Sequence, residues 1–341
     1  GVSNPDPMGN PVWDWLVRTK QSAYAANELL KGPSSTQAGP SWCFDRFGQS
    51  ETMLPDGRRI FVAGEHEDHY DPDFYIYNDV VVEHPGGAIS IYGYPLDCFP
   101  PTDFHTATLV DSKIIVIGNL GYPESRKKKT SDVYILDVES LVFRHVQTSG
   151  EQPGWIHEHK ASLSEHGTKV LITGGKLDLG EGRYLIENID DWQLDLRTWN
   201  WKCVKRRNWQ RWEIARADKS GNRIWEIRQA LWNSNVGWES DYEASIVKLR
   251  DDLGAEPDVK SVEALYSPEV SHDPLPEIEE EYGSYRIKVD GVTVRYVEET
   301  FTIQVTVEGD LPELTIRHLV EDVRKKLAKL ENTECYAEII A

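Results

Sequence analysis

The chain repeats itself. HTATLVDSKIIVIGN, starting at His105, is matched by HKASLSEHGTKVLITGG, starting at His159, once a two-residue gap is allowed. Lys113 then aligns with Lys169, and Gly118 with Gly174. Downstream, SDVYILDVESLVF aligns with DDWQLDLRTWNW, so that Tyr134 and Phe143 correspond to Trp192 and Trp201. A weaker first copy runs from Gln49 to Gly93 as QSETMLPDGRRIFVAG, then NDVVVEHPGGAISIYG. Its Gly64 stands 54 residues before Gly118, which stands 56 before Gly174. A period of this length implies one supersecondary unit per copy, each burying its apolar face against its neighbours.

Each copy reads as four short strands. An alternating strand comes first, then an apolar strand ending at glycine, then a strand carrying Leu-Asp, then an outer strand holding an aromatic. The runs Ile114–Ile117 and Val170–Ile172 suit inner strands buried on both faces. Glycine after them permits a left-handed backbone and close strand approach. The paired aromatics suit packing between neighbouring sheets. A repeated four-stranded sheet of this size is the mark of a β-propeller blade.

The segment 42–207 resembles kelch repeats. The residues that carry the resemblance are Gly174-Gly175 in ITGGK, the reduced forms VIGN and VAGE, DVYILD at 132–137 and WQLDL at 192–196. TSGEQPGWIHEH, from Thr148 to His159, is similar to the family's inter-repeat linker, with Trp-Ile-His where the family has an arginine before the histidine. The resemblance implies a propeller that binds proteins through its loops. Only three copies are present, whereas propellers close with roughly four to eight blades. The expected fold is therefore mainly β plus α+β. It is a partial propeller whose open side is covered by other parts of the chain, or half of a six-bladed ring completed by a homodimer.

The flanks have a different texture. Pro11–Lys31 reads as one helix, stopped by Gly32-Pro33, with a linker to residue 40. After Arg207 the repeat is gone. Asn222–Asn233, Trp238–Leu253 and Val259–Tyr266 read as helices. Asp290-Gly291 between two alternating runs is a hairpin signal. A third strand at Thr300–Val307, a helix at Leu311–Leu330 and a strand at Glu334–Ile340 complete a β-β-β-α-β module. The expected division is 1–40, 41–207, 208–276 (a helical connector) and 277–341.

Composition narrows the class. Of 341 residues, 37 are Lys or Arg and 57 are Asp or Glu, a formal charge of -20. That argues against a nucleic-acid binder or an adhesive for anionic membranes. The excess is local: residues 251–313 hold 17 acids and four bases. It reads as a solvated surface or as a docking face for a basic protein. The basic and aromatic run KCVKRRNWQRW, 202–212, reads as packed structure. RKKK, 126–129, reads as a solvated loop tip. Four widely spaced cysteines and no signal-like N-terminus lead us to expect a cytoplasmic protein.

The densest polar cluster is GEHEDHYDPDFYIYND, 64–79. Its His66, Glu67, His69 and Asp71 are candidate partner-binding residues. Phe104, Trp155 and His157, in the connections between copies, are the others. His105 and His159 share a repeat position and read as structural. No catalytic motif is present, and no cofactor or metal is assigned. The expected function is protein interaction, in one version an inhibitor or immunity-type protein neutralising a basic partner. The alternative is a metal-dependent enzyme or carbohydrate-binding module centred on the 64–79 loop.

Overall fold

The computed structural model describes residues 1–31, 42–66, 74–127, 129–180, 185–237, 239–276 and 283–340. They form two compact units, Gly1–Arg207 and Asn208–Ala341.

The first unit holds one antiparallel sheet per repeat. Ser50–Met53, Arg59–Val62, Asp79–Glu83 and Ile89–Gly93 form the first. Thr106–Val110, Lys113–Ile117, Val133–Asp137 and Phe143–His145 form the second. Lys160–Leu163, Lys169–Thr173, Asp191–Asp195 and Asn200–Lys205 form the third.

The two-residue side-chain period decides how the sheets stack. Ile60, Val62, Val80 and Val82 meet Ile114, Val116 and Leu136 of the second sheet. On its other side, Ile115, Ile117, Val133 and Ile135 meet Val170, Ile172, Trp192, Leu194 and Trp201 of the third. Each such residue stabilises the fold by about 1.5–3 kcal/mol when fully buried. Aromatics fill the first interface: Phe99 stacks on Phe143 at 3.9 Å, with Tyr94 edge-on at 4.8 Å.

The two ends of the stack differ. Phe61, Val81 and Ile91, on the outer side of the first sheet, are covered by Leu16, Val17 and Ala26 of the N-terminal helices. The outer side of the third sheet is open. Strand pairing makes Leu171 the counterpart of Ile115, yet Leu171 is 37% exposed and Ile115 2%. Val170–Ile172 is therefore buried on one face only, a correction to the two-faced burial expected of it. Around Leu171 the side carries Lys169, Thr173, Gln193 and Lys202, as a solvated terminus should.

Outer strand edges are occupied, which blocks edge-to-edge association. Asp6–Met8 pairs with Ile89–Gly93. The Asn4 amide exchanges hydrogen bonds of 2.8 and 2.9 Å with the Phe143 backbone. Ser149–Gly150 runs parallel to Asn200–Lys205.

Two local expectations change. The N-terminal helix is two helices, Pro11–Thr19 and Ala23–Leu30. Lys20 turns left-handed to end the first, and the Ser22 hydroxyl accepts from the Ala25 N–H to start the second. A serine cap competes well with helix continuation. The glycine alignment of the first copy is also shifted by one residue. Ala63 N–H donates to Asp79 as Gly118 N–H donates to Asp132, so Ala63, not Gly64, matches Gly118. Ala63 accordingly adopts φ 52 beside φ 80 at Gly118. A Cβ at Gly118 would meet the Ile156 carbonyl and the His159 ring, so that position requires glycine.

The second unit is a six-stranded antiparallel sheet with helices on one face. Its order is Asp273–Pro274, Ser284–Val289, Val292–Glu298, Thr302–Val307, Gln210–Arg216 and Cys335–Ile339. The hairpin turns at Asp290-Gly291, both with positive φ. The helix Glu313–Leu330 buries Ile316, Leu319, Val323, Leu327 and Leu330 against the sheet. The helices Ile224–Asn235 and Glu239–Leu253 and the 3-10 turn Val259–Ala264 join the same core. The chain thus does not divide at residue 276, because Gln210–Arg216 is an inner strand of the C-terminal sheet. Among the described residues no helix is long and apolar enough to cross a membrane. The four cysteines are free thiols.

Candidate functional site

Strand direction gathers the long connections of the first unit at one end. The connections 63–78, 118–132 and 174–190 leave the second strand of each sheet there, and 94–105 and 146–159 pass between sheets. The opposite end carries the short turns 54–58, 84–88, 111–112, 138–142, 164–168 and 196–199. Long loops on a rigid scaffold are where binding residues concentrate.

A row of repeated contacts underlies the long-loop end. Gly48, Phe104 and Glu158 have φ 61, 48 and 54 and precede Gln49, His105 and His159. The Phe104 N–H donates to the Gly48 carbonyl at 3.0 Å, and the Glu158 N–H to the Phe104 carbonyl at 2.8 Å. His105 Nε2 lies 2.7 Å from Ser50 Oγ, and His159 Nε2 lies 2.8 Å from Thr106 Oγ1. Each histidine so binds the hydroxyl that opens the preceding sheet. Burial pushes the His105 imidazole down to about 4. It pushes His159 to about 3, with His105 and His157 adding repulsion.

Beside this row Asp103 is buried, accepting from the Gly121 N–H at 2.7 Å. Burial raises its carboxyl pKa, opposed by that bond and by His157, Glu65 and Arg126. Arg126 donates to the Leu120 carbonyl at 3.0 Å and pairs with Asp178 at 3.1 Å. It joins the loops of the second and third sheets, and is not the solvated tip expected of it.

The expected partner-binding residues separate. His66 is buried in the short strand Glu65–His66, its Nδ1 3.4 Å from the Asp45 carbonyl. Glu67, His69 and Asp71 lie outside the described residues. Phe104 is part of the backbone row. Trp155 is buried, its indole N–H donating to the Leu120 carbonyl at 2.9 Å. His157 is fully buried, its Nδ1 3.4 Å from Glu158, whose carboxyl it holds below the usual range. Trp155 and His157 are thus inside the unit, not on the surface expected of them. A linear reading could not tell a linker aromatic facing out from one folded under the next loop.

The exposed side chains at this end are others. Phe47 is 63% exposed, Phe74 40% and Tyr75 41%. Backbone pairing relates their segments: Phe47 pairs with Glu65, and Glu65–His66 pairs with Tyr75–Ile76, which sets Phe47 in register with Ile76 and turns Tyr75 to the other face. Phe74 packs edge-on against Tyr122 at 5.9 Å, and the Tyr122 hydroxyl accepts from the Ile76 N–H at 2.9 Å. The sequence signal for Phe74 and Tyr75 is FYIY, within the charged 64–79 segment. Among the described residues no cluster of three or more His, Cys, Asp or Glu could hold a metal ion.

The C-terminal acid excess is partly neutralised from outside its own stretch. Arg228 binds Glu298, Arg250 binds Glu256, Lys329 binds Asp258 and Arg317 binds Glu313. Counting charge along the sequence overstates the free acidity of that surface.

Residues 34–216 match the family model of the KLHDC2/KLHL20/DRC7 Kelch-repeats domain. That is more than half of the 341 residues, and the chain belongs to the kelch-repeat family. Among 74 matching solved chains is one described as "Structure of YjhT", with 14% identity and a TM-score of 0.32. The match covers 50% of this chain and 53% of that one, so it spans about half of that relative's length. No curated protein matches.

Proposed function

We propose that the kelch-repeat unit is a protein-binding module whose contact surface is its long-loop end and whose partner is basic. The observation that carries this reading is the exposure of three aromatic side chains, Phe47, Phe74 and Tyr75, at that end. Aromatic side chains, Trp and Tyr above all, are enriched among the few residues that dominate binding energy at protein interfaces. Phe74 and Tyr75 lie within a segment, 64–79, rich in Asp and Glu, and the chain carries -20 overall. Such charge speeds encounter with a cation-rich surface and disfavours acidic partners. Inhibition of a basic protein, as by an immunity protein, is the form of this function that the charge supports.

The test is comparative recovery from the native host at low salt. The wild-type chain should recover a basic protein that the Phe74→Ala/Tyr75→Ala variant does not, and recovery should fall as salt rises. Equal recovery by both chains removes the aromatic face from the account.

A further inference from the structure

At Tyr75 lies a cleft of about 330 Å³, lined by Gly1, Met8, Trp13, Trp42, Tyr77 and Asn78, among others. Trp13 and Trp42 stack at 4.9 Å, and Tyr75 meets Tyr77 edge-on at 5.0 Å. Asp79 also borders it, but its carboxylate is fully used. Arg46 binds both oxygens at 2.6 and 2.9 Å, and the Trp42 indole N–H donates to Oδ2 at 2.8 Å. The Arg46 guanidinium lies 3.5 Å over the Tyr77 ring. The wall is therefore largely aromatic, its Asp79 carboxylate is matched by Arg46, and the Gly1 ammonium beside it donates to the Tyr94 carbonyl, which disfavours a cation as occupant.

Two donors at the cleft remain unused among the described residues: the Trp13 indole N–H and the Tyr75 hydroxyl, neither with a hydrogen-bond partner. Asn78 spends its amide hydrogens on the Tyr94 and Phe99 carbonyls, leaving its own oxygen without a donor. Aromatic walls with free indole and phenol donors suit one ligand chemistry well. A polyproline II segment offers flat pyrrolidine faces, carries no charge, and exposes backbone carbonyls that need donors. Its conformation is preset, so little ordering entropy opposes docking.

We propose that this cleft binds an uncharged proline-rich segment in the polyproline II form. The proposal deepens the protein-binding reading, on which it rests, by naming what a partner inserts beside Tyr75.

The test is independent of the native partner. Decaproline is titrated into the full chain while the Trp13 indole N–H is followed by NMR, its resonance assigned with the Trp13→Phe variant. Saturable movement of that resonance is expected. Calorimetry should show about fivefold weaker binding for Tyr75→Phe, the worth of one neutral hydrogen bond. No movement at millimolar decaproline overturns the proposal, as does movement caused equally by a Gly-Ser peptide or only by cellohexaose. Decaproline binding with no host partner recovered would keep the cleft and remove the wider function; partner recovery without decaproline binding would do the reverse.

Discussion

His159 Nε2 sits 2.8 Å from the Thr106 hydroxyl, and one repeat earlier His105 Nε2 sits 2.7 Å from Ser50. The same imidazole-to-hydroxyl bond so ties each sheet to the one before it. In the third sheet the matching residue is Lys160, which is exposed, and the series stops there.

The burial of these two imidazoles makes stability depend on pH. Both imidazoles are neutral in the fold, with pKa values of about 4 and about 3. Unfolded histidine takes up a proton near ~6.5. Between those values the unfolded chain binds more protons, so stability rises with pH. It is fully present above pH ~6.5 and declines as pH falls toward the folded values. Urea midpoints of the wild type should fall more steeply between about pH 7 and about pH 5 than those of His105→Gln/His159→Gln. Equal slopes would contradict the assignment.

Ala63 and Gly118 occupy one repeat position with opposite consequences. Ala63→Gly relieves a left-handed alanine and should be neutral or stabilising by up to about 1 kcal/mol. Gly118→Ala should destabilise by more than about 1 kcal/mol, since its Cβ would strike backbone. Denaturation of the two variants reads this directly, and the same sign for both would refute the corrected register.

Arg46 has no exposed side-chain surface, and Asp79 very little. Arg46→Met should cost about 3–5 kcal/mol, because it strands a buried carboxylate. Adding Asp79→Asn should recover part of that loss. A single variant as stable as wild type would show the pair to be dispensable.

The stack has one end covered by helices and the other faced with polar residues. Neither end suits a second copy's sheet, so sedimentation should give a monomer near 38.9 kDa at micromolar concentration. Leu171→Lys should be nearly neutral, whereas Ile115→Lys at the matching position should unfold the unit. A stable dimer lost with Leu171→Lys would favour the two-chain ring.

The period, the strand pattern and the Asp290-Gly291 hairpin were legible because each is written in local periodicity. The helix Glu313–Leu330 was legible for the same reason. The strand Gln210–Arg216 was not, because its partners lie about ninety residues or more downstream and its first residues fall in the basic and aromatic run 202–212, read as packed structure without a strand. The candidate site was harder to read: Glu67, His69 and Asp71 lie outside the described residues, Trp155 and His157 turn inward, and Phe47 meets the 64–79 segment through a bridge to Glu65. Inward or outward is a property of the next loop's path, which no single segment encodes.

The most direct test of the long-loop end as the binding surface is site-specific photo-crosslinking in the native host. A photoreactive residue replaces Phe74 at the long-loop end, and in a second chain Ser140 at the turn end. The account predicts a discrete protein adduct from position 74 and none from position 140. Adducts from position 140 alone, or identical adducts from both, would contradict it.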